Sequence, residues 1–240
     1  MDAAPSPIFR RIDRRKALAR IGAGALTLLA FDAVRAADAN VKLSCIATPA
    51  QTEGPYFVDE RLNRSDIRAD PTNGTLKDGV PLRLRLVAHA VADGNCLPLA
   101  GAVIDVWHCD ARGIYSDVDD PGSSTVGRKF LRGYQTTDAD GSVEFVTIYP
   151  GWYPGRTAHI HFKVRGRSPA GRDYAFTSQL YFDEATSDRV YARAPYADGG
   201  RRTRNDDDSI YRSGGKALTL TLAPEGNGYS TRFEIGLRTA

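Results

Sequence analysis

The chain has 240 residues, 42% of them hydrophobic and 25% charged, a composition that fits a folded globular protein and excludes a disordered, collagen-like or coiled-coil chain. The formal charge of +3 is concentrated in residues 1–36, which hold seven Arg and Lys against three Asp. The remainder carries 25 basic and 26 acidic residues, so charge gives no argument for a polyanionic partner. The first element in chain order is an address. Residues 10–20 are rich in Arg and Lys, Ile21 to Phe31 are apolar, and small residues follow around Val34-Arg35-Ala36, the layout of an export signal. Eleven apolar residues are too few for a membrane span, which needs about 20. The Arg14-Arg15 pair just before the apolar run resembles a twin-arginine signal, which carries folded proteins across a bacterial membrane into the periplasm or beyond. Residues 1–36 are therefore read as a cleaved signal and residues 37–240 as one mature domain.

After the signal the pattern is that of strands. Val80, Leu82, Leu84 and Leu86 alternate with Arg83 and Arg85, the period of a half-buried strand. Comparable runs occupy 102–108, 142–148, 159–165, 176–182, 217–223 and 230–237. Asn73-Gly74, Asp93-Gly94, Asp140-Gly141, Gly199-Gly200 and Gly214-Gly215 supply turns between runs. No helical pattern of ten or more residues interrupts them, so the expected fold is an all-β, single-domain sandwich. The run Asp206-Asp207-Asp208 lacks the ligand spacing of a calcium loop and reads as a solvated turn. Cys45, Cys96 and Cys109 permit at most one disulfide, with the pairing open, and contain no CxxC element that would suggest a thiolate metal site.

The chemistry concentrates around His159 and His161, two of only four histidines. Their i, i+2 spacing on a strand puts both imidazoles on one face and sends Ile160, Phe162 and Val164 to the other, which must be the core. A rigid His-x-His pair is a well-placed metal chelate, whereas His89 and His108 read as strand histidines, the latter packed or hydrogen-bonded beside Trp107. Tyr153 sits on a Pro/Gly loop six residues before His159. A phenolate is a hard anionic donor suited to ferric iron, and with a free pKa of about 10 it needs a highly charged cation to stay deprotonated near neutrality.

Three separate blocks, WHCDARGIYSDV at 107–118, YPGWYPGR at 149–156 and RTAHIHFKV at 156–164, together resemble the intradiol ring-cleavage dioxygenases, the family of catechol and protocatechuate dioxygenases. With TEGPYF at 52–57 and TSQLYF at 177–182 the resemblance runs from about residue 45 to 220 and is greatest to exported, single-domain members. It implies one Fe(III) per chain, held by Tyr115, Tyr153, His159 and His161. It also implies that Arg156 lies beside the bound aromatic ring, that Gln179 supports the site, and that Thr52, Gly54, Pro55 and Tyr56 belong to the substrate pocket. The implied reaction is O2-dependent cleavage of a catechol-type ring between its two hydroxyl-bearing carbons, giving a cis,cis-muconate-type diacid, with Tyr153 taking up a substrate proton. The implied partners are a small aromatic diol and O2, with a homo-oligomer left open.

Three departures bear on substrate and assembly. Thr157-Ala158 stands where common members have Pro-Ala, and the loop from Tyr153 to His159 is shorter than in the catechol enzymes, which should open the pocket. The helical extension by which those enzymes dimerise is not seen ahead of the strands. Two rival classes are a metal-free β-sandwich binding module and a zinc-dependent hydrolase built on His159 and His161. The full set of two Tyr and two His argues against the first. Zinc sites seldom use tyrosine and usually recruit a third His or a carboxylate, for which no candidate is positioned here.

Overall fold

A computed structural model describes residues 46–92, 95–120, 123–168, 171–196 and 200–238. The export segment, Cys45, the Asp93-Gly94 turn and Gly199 lie outside the described residues. Two sheets form the sandwich. In the first, β1 (Pro81–Ala92) runs parallel to β11 (Gly228–Leu237) and has β7 (Ser142–Ile148) and then β2 (Asn95–Pro98) antiparallel on its other side, while β10 (Ala223–Glu225) extends β11. In the second, all neighbours are antiparallel, in the order β6 (Arg132–Thr136), β3 (Val103–Trp107), β8 (His159–Arg167), β9 (Asp173–Tyr181). A small ribbon pairs β4 (Asp119–Asp120) with β5 (Ser123–Ser124).

The alternating runs explain the layering. Leu82, Leu84 and Leu86 of β1, Phe145 of β7 and Ile235 of β11 are buried in the same apolar cluster as Ile104 and Val106 of β3, Ile160, Phe162 and Val164 of β8 and Leu180 of β9. Arg83 and Arg85 point to solvent, as their alternation requires. Strands β2 and β6 carry too few apolar residues to announce themselves. Helix α1 (Glu184–Tyr191) spans only eight residues and is started by the Asp183 carboxylate, which accepts from Thr186 N at 2.8 Å.

The expectation of a strand over 217–223 is corrected. Gly215–Leu218 form a 3-10 turn, Thr219 makes one bridge to Tyr181, and only Ala223 enters β10. The alternation does bury Leu218 and Leu220, but this segment crosses from the edge of one sheet to the other and pairs fully with neither. Asp206-Asp207-Asp208 is also corrected in part: Asp206 and Asp207 are exposed, but Asp208 is fully buried. His108 is packed as expected, buried between the Cys109 carbonyl at 2.8 Å from Nδ1 and Thr147 Oγ1 at 2.7 Å from Nε2. Cys96 is disulfide-bonded, and Cys109 is a buried free thiol.

Candidate active site

Antiparallel register assembles the strand half of the site. His161 of β8 lies between Trp107 of β3 and Gln179 of β9, and His159 pairs with Tyr181 of β9. Side chains directly opposite share a face, so Trp107, His159, His161, Gln179 and Tyr181 all leave the sheet away from the core. That face is not open to solvent here, for both histidines are only 1% exposed. Three segments cover it: residues 51–57, the loop after β3 that carries Tyr115, and the loop between β7 and β8 that carries Tyr153.

The two tyrosine loops pack backbone against backbone, and glycine makes this feasible. A Cβ on Gly113, whose φ is +82°, would lie 2.3 Å from Trp152 O, and one on Gly151 would lie 2.4 Å from Asp110 O. Gly151 N donates to that same Asp110 carbonyl at 3.0 Å. The Asp110 carboxylate shapes the first loop by accepting from Arg112 N and Ile114 N, and its other oxygen binds Lys77 Nζ at 2.8 Å. The Tyr115 carbonyl is anchored by Thr125 Oγ1 at 2.7 Å. Buried Arg132 binds the Ser116 hydroxyl at 2.7 Å and the Tyr56 carbonyl at 3.1 Å.

Four aromatic rings thus converge. Ring centroids are 4.8 Å apart for His159 and His161, 5.7 Å for Tyr153 and His159, 5.9 Å for Tyr115 and Tyr153, and 6.3 Å for Tyr115 and His161. His159 Nδ1 lies 2.6 Å from the Thr157 carbonyl. A carbonyl only accepts, so Nδ1 carries the proton, and the Nε2 lone pair faces the Tyr115 hydroxyl 3.2 Å away. No hydrogen bond among the described residues reaches His161, whose buried Nδ1 is unpartnered. Its ring stacks on Trp107 at 4.9 Å and 9°, and Gly54 leaves room beside its Cε1.

Burial pushes the His159 pKa down to about 3 and that of His161 well below its ordinary value, so both imidazoles are neutral at physiological pH and free to donate a lone pair. Burial also pushes Tyr153 up to about 12, against the opposing pull of Arg156, and Tyr115 well above its ordinary value. In the protein's own field both tyrosines are therefore neutral phenols. Only an added cation of high charge makes phenolates of them. Two neutral imidazoles, one with an orphaned buried nitrogen, and two phenols that await a counter-charge form a donor set that fits a ferric ion.

Arg156 is held on three sides. Its Nε donates to Asp208 Oδ2 at 3.0 Å, its Nη1 to the Tyr153 hydroxyl at 3.4 Å, and its Nη2 to Gln179 Oε1. Gln179 in turn donates to the Thr52 carbonyl at 2.8 Å and accepts from the Tyr181 hydroxyl at 3.0 Å. The residues picked out in the sequence thus come together, with differences of role. Gly54 abuts His161, and Tyr56 stacks on Tyr115 at 4.3 Å, whereas Thr52 contributes its carbonyl to Gln179 and Pro55 is exposed.

Sequence reasoning missed Asp208, Tyr181, Thr157 and the stacking role of Trp107. Asp208 is the most consequential of these, since its carboxylate also accepts from Thr157 N at 3.0 Å and Ile210 N at 2.8 Å. Its one local signal was its place as an Asp immediately before the short helix α2 (Ser209–Arg212), which it caps. For Trp107 and Tyr181 the signal was their alternation with core residues.

Fold and site together define a β-sandwich protein with a buried centre of mixed imidazole and phenol donors. A family model described as Dioxygenase matches residues 52–199. The chain is 31% identical over 193 residues to a protocatechuate 3,4-dioxygenase beta chain of Burkholderia cepacia, covering 77% of this chain and 76% of that protein. It is 31% identical to catechol 1,2-dioxygenase 1 of Acinetobacter lwoffii over 50% of this chain, but spans only 43% of that longer protein. Among solved structures, an intradiol ring-cleavage dioxygenase from Tetranychus urticae matches with a TM-score of 0.71 at 30% identity, over 81% of this chain and 96% of the other. The chain belongs to the intradiol ring-cleavage dioxygenase family.

Proposed function

We infer that this protein is a non-haem Fe(III) enzyme that cleaves a catechol-type diol between its hydroxyl-bearing carbons with O2, releasing a cis,cis-muconate-type diacid. The carrying observation is the convergence of Tyr115, Tyr153, His159 and His161, with both imidazoles neutral and the His159 Nε2 lone pair aimed at the Tyr115 oxygen. These four residues would hold the metal. Bound to such donors, a ferric ion supplies Lewis acidity that withdraws electron density from a catecholate ring and makes it reactive toward O2.

The protein's own residues supply the rest. Once deprotonated, the Tyr153 oxygen would be able to take a proton from an arriving diol hydroxyl. The Arg156 guanidinium, 3.4 Å from that oxygen, favours the phenolate and is positioned to stabilise negative charge developing on a ring beside it. Gln179 and Asp208 hold that guanidinium in place. The stacked Trp107 and the cover of residues 51–57 keep the imidazoles away from bulk water. A zinc hydrolase is less well supported, because the described residues contain no group of three His, Cys, Asp or Glu able to hold a metal.

The test is metal content with a spectrum. The purified protein is expected to carry one iron per chain and a visible phenolate-to-iron charge-transfer band, and to consume O2 with a catechol. Tyr115→Phe should lose part of the band and bind iron more weakly. A folded protein that stays colourless after ferric loading refutes the assignment. Residues 1–36 are proposed to act as a twin-arginine-type export signal ahead of the 37–240 catalytic domain, sending it to the periplasm or outside the cell. Replacing Arg14 and Arg15 by Lys should then trap folded precursor in the cytoplasm, and normal export of that variant refutes the route.

A further inference from the structure

Beside Tyr153, on the outer flank of both tyrosine loops, lies a cleft of about 530 Å³ with Arg112, Trp152, Tyr153, Pro154, Pro195 and Tyr196 among its walls. This volume is in the range of small-molecule sites, roughly 300–1,000 Å³, and exceeds what an unsubstituted catechol ring needs. The far wall is anchored to the loop that bears Tyr153. The Tyr196 hydroxyl donates to Tyr149 O at 2.8 Å and accepts from Val80 N at 2.9 Å, and the Tyr191 hydroxyl donates to Pro150 O at 3.0 Å. The cleft is thus preformed, and aromatic residues and prolines make up most of its described wall.

Among the described residues its one charged wall residue is Arg112, which is exposed and whose guanidinium has no hydrogen bond or ion pair with any of them. The neighbouring carboxylate does not neutralise it, because both Asp110 oxygens are engaged, one by the Arg112 and Ile114 N–H groups and the other by Lys77. An unpaired planar cation at the edge of an aromatic cleft suits a carboxylate carried on an aromatic body. We propose that this cleft is the specificity subsite of the ring-cleavage reaction inferred above, and that Arg112 selects aromatic diols whose side arm ends in a carboxylate. Tyr153 links the two regions, with its hydroxyl turned to Arg156 and its flank lining the cleft.

The test compares 3-(3,4-dihydroxyphenyl)propanoate with its uncharged methyl ester, which has the same ring and nearly the same shape. The whole protein is expected to prefer the acid in kcat/KM, and added salt should erode the preference. Arg112→Ala should lower kcat/KM for the acid roughly three- to tenfold, the range for a partly solvated guanidinium–carboxylate contact, and leave the ester nearly unchanged. Arg112→Lys should restore part of the preference and Arg112→Glu should reverse it. Trp152 gives a second readout, since anaerobic binding of the acid should quench its fluorescence and Arg112→Ala should weaken that binding by the same factor. Binding of the acid that depends on Arg112 without turnover of either compound would uphold the subsite and overturn the ring-cleavage reading. Turnover of both compounds with a ratio indifferent to Arg112 would overturn the subsite and leave ring cleavage standing.

Discussion

Asp208→Asn removes one charge and little volume from a residue with no exposed surface. The native carboxylate accepts from Arg156 Nε and Thr157 N through Oδ2 and caps α2 by accepting from Ile210 N and Tyr211 N through Oδ1. An Asn can keep the cap with its oxygen, but then its NH2 faces two donors. Breaking a buried ion pair by removing one partner costs about 3–5 kcal/mol. Arg156 keeps its bond to Gln179 and is 14% exposed, which favours the lower end. A loss of about 3 kcal/mol corresponds, in a protein of this size, to a melting point roughly 6–12 °C lower. Asp208→Ala also strips the cap and should cost about 1 kcal/mol more. Denaturant unfolding of both variants, alone and with Arg156→Gln, measures the pair directly. Because the carboxylate and guanidinium act together, Arg156→Gln should cost much less when combined with Asp208→Asn than in the native protein. A variant within about 0.5 kcal/mol of the native protein, or strict additivity with Arg156→Gln, would refute this reading of the pair.

The other predictions concern charge. Burial lowers the His108 pKa to about 4. Unfolding restores a value of about 6.5, so the unfolded chain binds the extra proton between these limits; the stability due to neutral His108 is complete above pH 6.5 and lost as pH falls toward 4. The full span is about 3 kcal/mol, and His108→Gln should make that part of the profile of urea midpoint against pH shallower, by one group's share. Arg156→Ala should retain iron and the visible band, because Arg156 is not among the four donors, while kcat falls roughly 10²–10³-fold, the cost of removing one charge-stabilising group. Loss of iron from that variant would mean that Arg156 shapes the Tyr153 loop instead.

Much of this protein follows from local order in the chain. Alternation of apolar and polar residues determines which face of β1, β3, β7, β8 and β11 enters the core. The i, i+2 spacing of His159 and His161 forces both imidazoles to the opposite face whatever the sheet does elsewhere, because the strand period is two. The glycines of the 107–118 and 149–156 blocks are legible in the chain, but the need for Gly113 and Gly151 is tertiary, since a Cβ on either would meet the backbone of the other loop.

Depth and partnership depended on tertiary structure. Nothing local distinguishes a His-x-His pair facing water from one buried beneath residues 51–57, and that burial keeps the imidazoles neutral well into acid and makes the tyrosines still poorer acids. Residues 217–223 alternate like a strand, yet they cross between the sheets, and pairing depends on neighbours that alternation does not specify. Asp208 looked like a solvated turn because its two acidic neighbours are one. It is separated from Arg156 by 52 positions, and its role exists only because the chain returns to bring a carboxylate against that guanidinium. Periodicity is a short-range property and sets faces; the closure of distant segments over one face sets burial, and burial determines the charge states on which the chemistry of this site rests.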